Sequence, residues 1–139
     1  MNITKLTSQL MQEEGLRLKP YTDTVGKVTI GYGRNLTDKG ITEIEAIDLL
    51  RHDVEETLSM LPYAIPYLLT MNEVRQRILA DMAFNMGIST LLTFKKMLTY
   101  VKLSEYDLAA NEMENSTWYR QTGVRAAKLT KMMRTGKDL

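Results

Sequence analysis

Three side chains within the first thirty positions carry most of the chemistry this sequence offers: Glu14, Asp23 and Thr29. Glu14 closes an amphipathic stretch just ahead of Gly15, Asp23 opens a turn nine residues later, and Thr29 follows six further on. Two carboxylates held on different elements across a gap are what glycoside hydrolysis requires. One gives its proton to the leaving oxygen, and the other stays ionised to orient water or to stabilise a cationic sugar. Glu14 suits the first task, because the negative end of a helix opposes a second negative charge and Leu16 and Leu18 can help exclude water. Asp23 lies in a polar, turn-rich segment that suits an ionised carboxylate, and the Thr29 hydroxyl can share a water with it. Gly31 and Gly33 would let a sugar approach the backbone closely. Spacing alone fits equally well with two solvated acids and a hairpin shaped by its glycines.

Composition narrows the alternatives. The chain has 139 residues, the length of one domain, with 44% hydrophobic and 25% charged residues, which argues for a globular chain over a disordered one. The absence of cysteine excludes disulfides, thiolate metal sites and a cysteine nucleophile. The single histidine, His52, stands in the charged run Arg51-His52-Asp53 and reads as solvated or structural. Acid–base work therefore falls to carboxylates, and neither a metal nor a cofactor is expected. No apolar run reaches the roughly 18 residues of a membrane span. The N-terminal stretch lacks the apolar core of a signal peptide, so synthesis in the cytoplasm is expected. Net charge is only +1, but residues 1–94 sum to −3 and residues 95–139 to +4. The basic end fits solvated helix faces, and also attraction to an anionic polymer such as nucleic acid or bacterial wall.

The elements that must position these groups follow from periodicity. Ile3, Leu6, Leu10 and Met11 predict a helix over 3–14 that Gly15 ends. Residues 16–37, rich in glycine and β-favouring side chains, predict a small antiparallel sheet with a turn at Thr24-Val25-Gly26-Lys27. Asp38-Lys39-Gly40 marks a second turn. Thr42 and Glu45 form a capping box for a helix carrying Ile44, Ile47, Leu50, Val54, Leu58 and Leu61, which Pro62 and Pro66 should break. Thr70 and Glu73 suggest a second capping box, for an apolar helix that Gly87 ends. Helices are further expected at about 91–102, 105–115 and 123–134, with Ser116-Thr117 between the last two. The ten methionines read mainly as flexible core filling. Trp118 and Tyr119 read as anchors of the C-terminal helices, and Lys95-Lys96 as a wet helix face.

The fold class is α+β, one domain over 1–139. A small antiparallel sheet lobe is expected at about 15–58, with a larger helical lobe at about 59–139 joined by helix 3–14. A cleft between the lobes is the natural place for a ligand.

The stretch Glu14-Gly15-Leu16-Arg17-Leu18, Tyr21-x-Asp23-Thr24-x-Gly26 and Thr29-Ile30-Gly31-Tyr32-Gly33 closely resembles the phage-type, T4-like lysozymes of glycoside hydrolase family 24. Two later blocks extend the likeness. Val74-Arg75 through Asp81-Met82-Ala83-Phe84-Asn85-Met86-Gly87 resembles that family's central helix, and Ser116 through Thr122, with Arg125-Ala126 and Arg134-Thr135-Gly136, its C-terminal signature. The resemblance implies a lysozyme-like fold and an endolysin that cleaves the β-1,4 bond between N-acetylmuramic acid and N-acetylglucosamine in peptidoglycan. By the same resemblance Glu14 falls on the general acid, Asp23 on the second carboxylate and Thr29 on the water-orienting hydroxyl. Gly33 and Phe84 fall on substrate-binding positions, and Arg125 on an arginine that supports the catalytic glutamate. Arg34 stands where many members carry histidine. Asn35 and Glu112 replace a leucine and an asparagine that touch sugar, and Met97 stands where serine is common.

The resemblance also implies peptidoglycan as substrate, a phage holin as the route to the wall, a monomer, and neither nucleic acid nor a membrane span as partner. It places action at the cell wall after membrane permeabilisation. A lytic transglycosylase cutting the same bond, a silent wall- or chitin-binding module and, more weakly, a small nucleic-acid-binding protein are the competing readings.

Overall fold

Asn2 starts the first helix, its side chain accepting the Lys5 N–H at 2.9 Å. Helix α1 runs Ile3–Glu14 and stops at Gly15, whose positive φ of 70° suits the one residue without a Cβ. The structure, a computed structural model, describes residues 1–139. It contains eight α-helices, a short 3-10 helix and a three-stranded sheet, the α+β class expected from the element order and the lysozyme-like one implied by the resemblance.

The sheet is an antiparallel meander of β1 (Arg17–Thr22), β2 (Val28–Gly31) and β3 (Arg34–Asn35) in the order β1-β2-β3. Thr29 is the pivot of the register, opposite Tyr21 on one side and Asn35 on the other. A bulge between Arg17 and Tyr21 absorbs extra residues on β1. Arg17 lies over the Tyr21 ring at 4.7 Å from its centroid, so one face of β1 carries a cation–aromatic contact beside the turn.

Helix α2 (Glu43–Ala64) opens on the expected capping box, with both reciprocal bonds in place: Glu45 N–H to Thr42 Oγ1 at 3.2 Å, and Thr42 N–H to Glu45 Oε1 at 3.0 Å. The predicted break at Pro62 does not occur; the proline sits inside α2. It forfeits one ladder bond, but Leu61 and Ile65 on either side are buried, and Ile65 N–H reaches Leu61 C=O at 2.8 Å. Packing of those two side chains carries the helix past the proline, and the chain turns only before Pro66. After a 3-10 turn (Leu68–Thr70), α3 (Glu73–Met86) is capped by Asn72, which accepts the Arg75 N–H at 3.1 Å. Thr70, expected in that capping role, instead closes the 3-10 turn by donating to Tyr67 C=O at 2.6 Å.

Of the residues expected as one helix over 91–102, only Lys95–Lys102 form a helix, α5, and a separate short helix, α4 (Ile88–Leu91), precedes it. Helices α6 (Tyr106–Glu114) and α8 (Val124–Thr135) lie within a residue or two of expectation. Between them is α7 (Thr117–Thr122), where the sequence reading saw only a separator; Ser116 caps it by accepting the Tyr119 N–H at 3.1 Å.

The chain forms two compact units, Met1–Leu49 and Leu50–Leu139. The second encloses the main core, including Leu61, Ile78, Leu79, Met82, Leu91, Met97, Val101 and Met113. Six of the ten methionines (Met71, Met82, Met97, Met113, Met132 and Met133) are buried, so core filling is their role. Trp118 packs on this core, edge-on to Phe94, and donates to Asn85 Oδ1 at 3.3 Å. Arg75 joins α3 to the C-terminal helix. Its guanidinium donates to Met133 and Arg134 carbonyls at 2.9 and 3.1 Å and lies 3.6 Å from the centre of the Tyr106 ring.

Leu79→Ala in this core is expected to lower unfolding free energy by about 2–5 kcal/mol. Leu69→Ala, on the exposed flank of the 3-10 turn, should change it by less than about 0.5 kcal/mol. Urea denaturation of the two variants beside the wild type measures both.

Candidate functional site

Glu14 is the last residue of α1, and the turn at Gly15 sends the chain directly into β1. Its neighbour Glu13 is engaged, accepting from Gln9 Nε2 at 2.9 Å. Glu14 makes no hydrogen bond or ion pair within its own unit. Its carboxyl rests instead against Gly33, at the turn between β2 and β3. A Cβ built on Gly33 would lie 2.7 Å from Glu14 Oε2 and 2.9 Å from its Cδ. The volume a side chain would fill at Gly33 is therefore taken by the Glu14 carboxyl, and the backbone there, at φ +79°, is one that glycine adopts readily. Gly31, by contrast, has open space where its Cβ would stand.

Asp23 begins the β1–β2 turn. Its Oδ1 accepts two backbone N–H groups, from Val25 at 3.0 Å and Lys27 at 2.8 Å. The turn is closed by Asp23 N–H to Lys27 C=O at 2.8 Å, with Gly26 at φ +83° completing it. These bonds orient the carboxylate through one oxygen and leave Oδ2 without a protein donor. Thr29 is buried at 4% exposure, and its hydroxyl donates to Lys27 C=O at 3.1 Å. With its proton committed, Thr29 Oγ1 offers lone pairs only. The Asp23–Lys27 pair and the Tyr21–Thr29 pair lie two ladder positions apart, so Asp23 and Thr29 stand diagonally on one face of the hairpin.

Arg34, beside Gly33, forms a two-pronged pair with Glu45 of α2: Nη1 to Oε1 at 2.9 Å and Nη2 to Oε2 at 2.8 Å. Nη1 also reaches Gly40 C=O at 3.3 Å. The guanidinium and the two Thr42 bonds hold the Glu45 carboxyl at about 2, well below its usual range. Sequence reasoning identified Glu45 only as a cap; the unpaired arginine eleven residues upstream was the missing signal. Asn35 is tied into its own turn, donating to Asp38 Oδ2 at 3.0 Å and accepting the Asp38 N–H at 2.9 Å.

In the helical unit, Phe84 is partly exposed on α3 and lines an apolar pocket of about 200 Å³ with Leu50, Val54, Leu58 and Ala80. One helical turn away, Asp81 Oδ1 accepts from Arg125 Nε and Nη2 at 2.8 and 2.6 Å. Asp81 is a partner for Arg125 that the sequence reading did not assign. Met97 is buried, while half-buried Glu112 lines an open pocket of about 430 Å³ with Lys95, Lys96 and Asn115.

Comparison with known proteins is consistent with this architecture. The profile of the phage lysozyme family matches residues 11–135. A Dictyostelium discoideum protein named "probable T4-type lysozyme 1" is 28% identical over 163 residues, covering 96% of each chain. An endolysin of Acyrthosiphon pisum secondary endosymbiont phage 1 is 33% identical over 103 residues, 71% of this chain and 68% of its own. The pre-baseplate central spike protein of Enterobacteria phage T4 is 28% identical over 94% of this chain, which spans only 28% of that protein's length. The protein is a glycoside hydrolase of lysozyme type. It belongs to the phage lysozyme family.

Gly33→Ala is expected to displace the Glu14 carboxyl and reduce wall-degrading activity by roughly ten-fold or more, since a shift near 1 Å can cost about a hundred-fold. Turbidity loss of a cell-wall suspension reports it. Glu45 titrates lower in the folded chain than its ordinary 4.5, so its pairing stabilises the fold above about pH 4.5 and that contribution is lost as pH falls towards 2. Glu45→Gln should therefore lower the melting temperature at neutral pH and narrow its gap to the wild type as the solution is acidified from pH 5 to pH 2.

Proposed function

We propose that this chain hydrolyses the β-1,4 bond between N-acetylmuramic acid and N-acetylglucosamine in peptidoglycan, with Glu14 as general acid and Asp23 and Thr29 positioning the attacking water. The observation that carries this reading is the Glu14 carboxyl set against the Gly33 backbone without a competing partner in its unit, on the same small sheet that presents Asp23 and Thr29. A proton donor must reach a glycosidic oxygen, and a carboxyl already bound to a protein cation would have to be released first.

The water's orientation follows from hydrogen-bond polarity. Asp23 Oδ2 and Thr29 Oγ1 can both only accept. A water between them donates both of its hydrogens and turns a lone pair outward to the anomeric carbon. Glu14 protonates the departing oxygen as the bond lengthens, and Asp23 takes up the proton that the water loses as it adds. Gly33 as a groove position is carried over from the family resemblance. Phe84 as a sugar-contacting ring and Arg125 as support for Glu14 enter the proposal on the family resemblance alone.

The phage endolysin among the relatives favours lysis of a host cell as the biological role, acting on the wall. A holin that opens the route, and a monomeric enzyme, belong to the same proposal. No helix is long and apolar enough to cross a membrane.

Glu14→Gln should cut reducing-end release from purified peptidoglycan by at least the roughly 10²–10⁴-fold that general acid catalysis supplies, with the melting curve nearly unchanged. Asp23→Asn should be comparably inactive and Thr29→Ala partly active. Wild-type turnover by the Glu14 variant would remove the proposal. Fragment masses distinguish the chemistry, since hydrolysis yields products one water heavier than the anhydro ends of a transglycosylase.

A further inference from the structure

The wall behind Glu14 is held by an ion pair whose members keep their charges at neutral and mildly acidic pH. Gly33 stands between two anchors: Ile30 pairs with Arg34 across the β2–β3 ladder, and the Arg34 guanidinium is forked onto Glu45 and bonded to Gly40 C=O. The three heavy atoms nearest to where a Gly33 Cβ would lie all belong to the Glu14 side chain. Displacing Arg34 therefore moves the surface on which the Glu14 carboxyl rests, although Arg34 does not touch that carboxyl.

We propose that Arg34, through its fork with Glu45, is a positioning residue that sets the place of Glu14 by fixing the Gly33 backbone. The inference rests on the reading of Glu14 as the general acid. Two other charged groups around this turn are engaged with each other: Lys27 pairs with Asp38 at 3.1 Å, and Asp38 also holds Asn35. Lys39 and Glu43, at the flanks of the Gly40 turn, make no ion pair. The fork is thus the one charged link from β3 to the first turn of α2. An arginine stays protonated at every pH at which the enzyme works, and Glu45, held at about 2, stays ionised. The wall consequently keeps both of its charges at neutral and mildly acidic pH.

The test compares Arg34→Met, Arg34→Lys, Arg34→His and Glu14→Gln on purified peptidoglycan, reading kcat, KM and melting temperature. Arg34→Met should lower kcat about ten- to a hundred-fold with KM within about two-fold, because positioning acts on the reacting geometry more than on substrate affinity. Arg34→Lys, which keeps the charge but loses the fork, should recover part of kcat. Arg34→His converts a permanent cation into one that titrates near 6.5, raised somewhat by Glu45. The His–Glu45 pair is present below that pKa and lost above it, so the kcat ratio of Arg34→His to wild type should fall between about pH 6 and pH 8. Taking the ratio removes the pH dependence that the two enzymes share.

An inactive Glu14→Gln together with wild-type kcat in Arg34→Met overturns the inference and leaves the catalytic reading standing. A loss of melting temperature in Arg34→His whose kcat ratio to wild type is flat with pH overturns it as well, reducing Arg34 to a stabilising contact. An active Glu14→Gln removes the catalytic reading beneath it. If Arg34→Met does not fold, Glu45→Gln takes its place with the same expected split of kcat from KM.

Discussion

A carboxyl group occupies the space where a side chain would stand at position 33, and much of the first unit is arranged around that occupancy. Glu14 comes to this place because α1 ends where it does, at a glycine that redirects the chain into β1. Gly33 receives it because the β2–β3 turn adopts a backbone conformation that side chains resist. A carboxyl on an exposed helix end would ordinarily sample many orientations. Here the rotamers are limited by contact with rigid backbone, while both oxygens remain free of protein donors in that unit. Restriction without hydrogen bonding would suit the acid role proposed for Glu14.

Asp23 and Thr29 are fixed by the opposite device. Each is bonded to main chain of its own hairpin, Asp23 through two N–H donors and Thr29 through the Lys27 carbonyl. The hairpin's short loop thus does two jobs, since the bonds that close the turn also decide which lone pairs stay available. In the helical unit, α3 carries Asp81 and Phe84 on neighbouring turns. Its N-terminal end is fastened to the last helix through Arg75 and Asn72, the latter donating to Gly136 C=O at 3.0 Å.

Local signals were the legible ones. The helix over 3–14, the three-strand hairpin segment, the capping box at Thr42 and Glu45, and the glycine stop after Met86 all depend on residues a few positions apart. Departures arose where distant packing or competing local bonds decided the outcome. Pro62 reads as a breaker, yet its buried neighbours hold the helix through it. Thr70 and Asn72 are both plausible caps, and the 3-10 turn claims the threonine. The dipeptide Ser116-Thr117 resembles a linker and is also the ordinary start of a helix. At the site, residue types and spacing nominated Glu14, Asp23 and Thr29. The contact between Glu14 and Gly33 and the Arg34–Glu45 fork were invisible, because each joins groups whose proximity exists only after the strands have paired.

The methionine-rich interior has a further chemical consequence. Six thioethers are shielded from solvent, and the chain has no thiol to intercept peroxide in their place. A sulfoxide is polar and does not fit back among leucine and isoleucine side chains. Transient opening of the helical unit would expose these sulfurs, and oxidation would then prevent reclosure. Under oxidant stress the lifetime of the folded protein is therefore set by how often its helices part, which makes sulfur chemistry a recorder of that motion.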